Sequence, residues 1–453
     1  MRRTLRGAPL AWMWVRVWVL ASALIGVAAI GAGAVWWLNV RDEAPIPEAD
    51  AAATSPALLA SLASSASPAL IAQGAYLARA GNCAGCHTVR GGTPYAGGRG
   101  IATPFGTVYA PNLTPDNPTG LGQWTSATFW RAMHNGRSHD GRLLYPVFPY
   151  TNYTQVTRAD SDALFAYLRS LPATRAANLP HELRFPFNQQ AALAVWRALY
   201  FKPSQRADEA SRSAEWRRGA YLVEGLGHCS ACHSSRNALG ASASPLDLGG
   251  GLIPMQNWYA PSLTSASEAG VADWAPAEIV ALLKTGLSSH GGVQATVLGP
   301  MAEVVSHSTQ HLSDADLAAM ATYLQALPQQ AATPKPALPV PADASLTRGA
   351  KLYGEHCAAC HGDQGEGAPG AYPALAGNRA VTLNPPANLV HIVLEGGFAP
   401  ATAGNPRPYG MPPFGPALDN DALADVLTFI RSSWGNGAAA VTSLDVKRYR
   451  EGR

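Results

Sequence analysis

Between Val17 and Val40 no charged residue interrupts an apolar run of 24 positions. At 1.5 Å per residue such a helix reaches about 36 Å, enough to cross a hydrocarbon core of about 30 Å. Beyond it the pattern changes to short amphipathic segments. Three apolar-periodic stretches begin after Thr157, Ser313 and Asp419, residues whose side chains cap helices. Three more, 126–135, 276–285 and 386–395, are each followed by a glycine that would end a helix. The aromatic residues Phe165, Tyr167, Tyr323 and Phe429 fall on the inward spacing of the first set and read as core. Another apolar helix is expected over Ala191–Phe201. The predicted class is mainly α: an N-terminal transmembrane helix followed by three helical domains.

The helical units repeat. Gln73-Gly-Ala-Tyr-Leu, Arg218-Gly-Ala-Tyr-Leu and Arg348-Gly-Ala-Lys-Leu open them, and Tyr109-Ala-Pro-Asn-Leu-Thr returns as Tyr259-Ala-Pro-Ser-Leu-Thr. Within each unit stands one Cys-x-x-Cys-His run: Cys83, Cys86 and His87; Cys229, Cys232 and His233; Cys357, Cys360 and His361. These use all six cysteines, so none is left for a structural disulfide. The run is the attachment signature of c-type haem, in which two thiols add to the porphyrin vinyl groups and the next imidazole reaches the iron. Half a zinc site or a thioredoxin-like redox pair would use the same cysteines. Neither fits well, since no histidines follow at zinc-finger spacing and no βαβ pattern surrounds the motifs. Three covalently bound haem c groups are therefore expected.

Domain organisation follows. Residues 1–43 read as a cytoplasmic stub and transmembrane anchor, 44–70 as an Ala/Ser/Pro-rich tether, and 71–172 as the first cytochrome c domain. A connecting segment at 173–212 should pack across modules. The second domain takes 213–328, a proline-rich linker 329–343, the third domain 344–437 and a patternless tail 438–453. The linker makes the third domain the more independent one. For 453 residues this is an ordinary number of domains, each of roughly a hundred residues.

Charge adds direction. Arg2, Arg3, Arg6 and Arg16 precede the apolar run, whereas Asp42, Glu43, Glu48 and Asp50 accompany Arg41 after it. The positive-inside rule then places the body on the periplasmic side of a bacterial inner membrane. Ala32-Gly33-Ala34 matches a signal-cleavage pattern, but the run continues through Val35-Trp36-Trp37-Leu38, which favours a retained anchor. Charged residues are only 14% and the net charge is +3, a balance that gives no sign of nucleic acid.

A thioether opposite the histidine favours reduced iron, so the axial ligands are sought among the seven methionines. Met411, in Tyr409-Gly-Met-Pro-Pro-Phe, and Met301, in Leu298-Gly-Pro-Met, stand before the closing helices of their domains. Met255 competes weakly with Met301, and Met320 falls inside a helix. In the first domain the aligned segment is Tyr145-Pro-Val-Phe148-Pro-Tyr150, and phenylalanine cannot ligate iron. Met133, His134 and His139 remain as candidates there. Met133 is the one carried forward, although its place on the middle helix, matching Leu283, also suits a core residue. A bis-His, a Met-ligated and a five-coordinate haem all stay open.

The three haem motifs, the YAPNLTPD and YAPSLT segments, FPFNQ, RGAYLVEGLGHCSACHSSRNALG and the SSWGN close resemble the membrane-bound trihaem cytochrome c subunits of bacterial periplasmic dehydrogenases. The resemblance covers residues 70–437. It implies that electrons are accepted from a separate catalytic subunit and passed to ubiquinone or a terminal oxidase, and it supports Met301 and Met411 as axial ligands. The alcohol-dehydrogenase type carries Tyr-Pro-Ala-Met-Pro-Tyr where this chain has Phe148. That departure is similar to the branch accompanying molybdenum hydroxylases of aldehydes and N-heterocycles. No dinucleotide fingerprint or second cofactor motif is present, so electron transfer without substrate chemistry is expected. The alternative is a haem enzyme in which an open site in the first domain reduces a small oxidant.

Overall fold

A computed structural model describes residues 9–43, 66–204, 209–242, 247–330 and 341–451. Most of the expected tether and proline-rich linker lies outside these residues. The N-terminal helix runs Pro9–Val40, and its Trp14–Val40 portion is long and apolar enough to cross a membrane, with mean hydropathy 2.1.

Each cytochrome unit is built on two helices that cross closely. The opening helices are Pro68–Ala80, Ala214–Ala220 and Asp343–His356; the closing helices are Arg158–Ser170, Asp314–Gln325 and Asn420–Ser432. The repeated glycine explains the crossing. A methyl group at Gly74 would sit 1.9 Å from the Ala163 carbonyl oxygen, one at Gly219 1.9 Å from that of Ala319, and one at Gly349 2.3 Å from that of Asp425. Backbone lies directly on backbone at all three. The closing helices start where the capping chemistry places them: the side chains of Thr157, Ser313 and Asp419 accept from the amides of Asp160, Asp316 and Ala422.

Middle helices span Ser126–Asn135, Pro276–Thr285 and Ala387–Glu395, the last with Pro386 as its cap residue instead of its first residue. They stop at Gly136, Gly286 and Gly396, all at positive φ (61°, 77° and 69°). The cysteines do not ride on the opening helices. They form separate short turns, Cys83–His87, Cys229–Ala231 and Ala358–His361. In the first two domains the break is made by Asn82 (φ 46°) and His228 (φ 37°), both left-handed.

A further irregularity has a numerical cause. Tyr76 precedes Cys83 by seven residues, but Tyr221 precedes Cys229 by eight. Residues Tyr221–Leu226 wind as a π-helix, which absorbs the extra residue and keeps both the tyrosine and the thiols in register.

One apolar core serves the first two domains together, running from Leu77, Phe129 and Leu164 to Leu222, Ile279 and Leu317. The third has its own, around Tyr353, Val390, Leu423 and Leu427. Residues 438–451 correct the expectation of a patternless tail. Ser443–Glu451 is a helix whose Val446 and Tyr449, with Val441 before it, are buried in the third core.

The segment after the first closing helix makes contacts on both sides. Glu182–Leu183 adds a third strand to the antiparallel pair Gly100–Thr103 and Gly106–Tyr109, with Gly106 opposite Leu183. The helix that follows runs Gln190–Tyr200, one residue earlier at each end than the pattern indicates. Its Trp196 donates to the Leu239 carbonyl of the second domain (2.9 Å), and its Arg197 donates to Asn39 at the end of the apolar helix (2.9 Å). Glu43 completes that clasp by accepting from Arg137 at 2.8 Å.

Candidate haem sites

Each motif histidine is oriented by one carbonyl. His87 Nδ1 donates to Pro111 at 2.8 Å, His233 Nδ1 to Pro261 at 2.7 Å and His361 Nδ1 to Pro373 at 2.9 Å. A carbonyl only accepts, so the proton is on Nδ1 and the Nε2 lone pair is left for a metal. Burial pushes all three imidazoles below their ordinary pKa, with the carbonyl only partly offsetting it, so they are neutral, as ligation requires. The proline belongs to the repeated Pro-x-Leu of Pro111-Asn-Leu113, Pro261-Ser-Leu263 and Pro373-Ala-Leu375. The repeat was visible in the sequence, but its role was missed: it is a tautomer lock.

No disulfide joins any two of the six cysteines. Burial pushes Cys83 and Cys229 up to about 12 and Cys357 up to about 11. A redox Cys-x-x-Cys pair needs the opposite shift, toward thiolate, so the local environment disfavours the thioredoxin-like reading. Two arginines support the turns: Arg99 donates to the Gly85 carbonyl and Arg236 to that of Ala231, in each case the residue before the second cysteine. Arg99 also pairs with Glu303 at 2.7 Å, two residues beyond Met301, and so ties the first thiol turn to the second domain.

Met411 lies in the short strand Gly410–Met411, paired with Gly397–Phe398 and packed partly buried on the third core. Met301 is in the first turn of helix Pro300–His307, partly buried on the shared core. Phe148 is also partly buried there, its ring 5.3 Å from Tyr153. Met133 is buried in the same core from the middle helix. His134 stacks on Trp130 (4.4 Å, 18°), and His139 is exposed beside Trp124. Of the two rivals, Met255 is exposed and Met320 buried in the closing helix.

The donor set in each unit, two adjacent thiols and a neutral histidine with a locked tautomer, fits a porphyrin iron. Three such units on one chain define a multihaem c-type cytochrome. Comparison with known proteins agrees: the cytochrome c family pattern matches residues 71–172, 217–328 and 346–434. The gluconate 2-dehydrogenase cytochrome c subunit of Pantoea cypripedii is 38% identical over 404 residues, 85% of this chain and 90% of that protein. The alcohol dehydrogenase (quinone) cytochrome c subunit of Gluconobacter oxydans is 37% identical over 408 residues, 86% and 84%. One of the nicotinate dehydrogenase subunits of Pseudomonas putida is 41% identical over 370 residues, 81% of this chain but 30% of that longer protein. The chain belongs to the cytochrome c family, in the group of three-domain cytochrome c subunits of membrane-bound dehydrogenases, and carries three haem c.

Proposed function

We propose that the chain relays electrons from a catalytic dehydrogenase subunit through three haems to ubiquinone or a terminal oxidase, on the periplasmic face of an inner membrane in which Trp14–Val40 is retained as the anchor. The observation that carries this is the threefold recurrence of one site, with His87, His233 and His361 each locked by a proline carbonyl. Cys83 and Cys86, Cys229 and Cys232, Cys357 and Cys360 form the thioethers. The three histidines would ligate the irons, with Met301 and Met411 as the further ligands in the second and third domains. When bound, haem supplies one-electron chemistry; the protein fixes its ligands and excludes water.

The second site is the middle of the relay. Arg99, which supports the Cys86 turn, pairs with Glu303 of the second domain, and Tyr259, two residues before Pro261, exchanges hydrogen bonds with Asn388 of the third domain (2.8 and 2.7 Å). A nicotinate-type donor, oxidising an N-heterocycle, is favoured over an alcohol or gluconate type by Phe148 together with the 41% identity to the nicotinate dehydrogenase relative. In the first domain Met133 is the candidate axial ligand, buried on the helix that faces the shared core.

The test is matured full-length protein mixed with its co-purifying dehydrogenase. Three haem masses, and reduction of all three haems by the donor's substrate, are expected. Met301→Ala and Met411→Ala should each remove the methionine-ligation band of one haem. Retention of both bands overturns the ligand assignment. Carbon monoxide binding to one third of the ferrous haem would instead favour the oxidant-reducing reading, which Phe148 supports.

A further inference from the structure

Helix Gln190–Tyr200 is amphipathic in the reverse sense for a protein surface. Its inward residues are Leu193 and Arg197; Arg197 is 3% exposed, donates to Asn39 and to the Asn135 carbonyl, and lies 4.7 Å over the Phe201 ring. Its outward residues are Ala191, Val195 and Leu199, one stripe at i, i+4 and i+8. Val195 is 47% and Leu199 64% exposed. A helix facing water directs charge outward and leucine inward. This one buries its single charged residue, Arg197, beside Leu193 and turns Val195 and Leu199 outward, and it holds Leu239, also exposed, beside it through the Trp196 hydrogen bond.

Its position names the occupant. The Ala194 carbonyl accepts from Asn39 at 2.9 Å, and Asn39 is in the last turn of the apolar helix, where Val40 gives way to Arg41, Asp42 and Glu43. With that helix across a bilayer, the apolar-to-charged transition marks the lipid interface. The outward stripe then lies at the depth where acyl chains meet headgroups. Lys202, exposed just past the helix, is placed to reach phosphates.

We propose that Gln190–Tyr200 is a second, monotopic membrane contact: Ala191, Val195 and Leu199 insert into the periplasmic leaflet next to the anchor and hold the first two haem domains at a fixed height above it. The proposal rests on the reading of Trp14–Val40 as a retained span.

The test uses full-length, haem-loaded protein in nanodiscs of phosphatidylcholine and phosphatidylglycerol. A benzophenone amino acid replaces, in separate samples, Leu199, Val195, Ile25 in the span, or the exposed Leu444 of the third domain. After irradiation, mass spectrometry should find lipid adducts at 199 and 195 as at 25, and only background at 444, in samples retaining three haems. Adducts at 25 without adducts at 199 and 195 overturn the proposal while leaving the anchor in place. No adducts at 25 overturns the anchor and the proposal with it. Cross-links from 199 to a co-purified catalytic subunit in native membranes overturn it in favour of a protein partner.

Discussion

Three residues after the opening arginine or glutamine, the first and second haem domains carry tyrosine and the third carries lysine. That single position separates two kinds of association. Tyr76 donates to Asp316 of the second domain at 2.6 Å and accepts from the Ser313 amide at 3.1 Å. Tyr221 does the same in return, donating to Asp160 at 2.5 Å and accepting from the Thr157 amide at 3.3 Å. The two domains thus exchange tyrosines onto each other's closing helices about a local pseudo-twofold axis, and their cores merge. In the third, Lys351 points outward to Glu355, and Ser345 of the same domain donates to Asp425, which lies one turn further along its closing helix and holds Arg348 as Asp316 holds Arg218. The third domain completes its own helix pair. It meets the second through small and polar contacts, including Arg379 on Asp273 at 3.1 Å and Trp258 stacked on His391. The change at this one position accompanies the difference between domains that share a core and a domain that keeps its own.

The largest expected effect breaks the framework itself. Gly219→Ala places a methyl against the Ala319 carbonyl, and because both partners are backbone the helices must separate, at a cost of about 3 kcal/mol or more. Calorimetry should show the first and second domains destabilised together and the third unchanged. Gly349→Ala should lower only the third domain's transition. A Gly219→Ala protein whose first domain melts as in the native chain would show that the two do not form one cooperative unit.

Such units were legible where the chemistry is local. Thr157, Ser313 and Asp419 announce helix starts because a cap bonds an amide three residues on, and Cys-x-x-Cys-His names its cofactor within five positions. What escaped is set by distant partners. Pro111 locks His87 from 24 residues away, and Asn39 finds Arg197 across 158. The helix Ser443–Glu451 stayed hidden because Val441, Val446 and Tyr449 make a sparse apolar face that reads as a helix only against the third core. The Tyr-to-Lys change was in plain view, but its meaning depends on a neighbour that the repeat alone does not position.

The next effect in size compares the aspartates that hold the opening arginines. Asp316→Ala removes the acceptor for Arg218 (2.7 and 2.8 Å) and for Tyr76, so the shared core should lose about 2–4 kcal/mol. Asp425→Ala leaves Arg348, whose side chain is 61% exposed and can be solvated, and should cost about 1 kcal/mol in the third domain. Denaturant unfolding followed by haem absorption separates the two. Equal losses would mean that the tyrosine exchange adds nothing.

Removing the exchange alone is gentler. Tyr76→Phe deletes one hydroxyl and should cost about 1 kcal/mol, whereas Lys351→Ala, on an exposed face, should stay within about 0.5 kcal/mol. Limited proteolysis should show faster cleavage between the first two domains in Tyr76→Phe and no change in Lys351→Ala.

The smallest effect is read in acid. Burial on its own pushes the Asp316 carboxyl up, but the hydrogen bonds from Arg218 and Tyr76 and the guanidinium charge outweigh it, so its pKa lies below the ordinary carboxylate value. A carboxyl depressed in the folded state stabilises fully above its unfolded pKa, about 3.9, and that contribution disappears as pH falls through the lower folded value. Asp425, depressed by Arg348 and Ser345 against the same burial, follows the same sign. Both cores should therefore weaken below about pH 4, but only in the first two domains does protonation also remove the acceptor of a bond between domains. The stability difference between the native chain and Tyr76→Phe should then shrink as pH drops through this window, because a protonated Asp316 is the weaker acceptor in both proteins. A difference that stays constant from neutral pH into acid would show that Tyr76 is held by packing, and that the Asp316 charge has no part in joining the two domains.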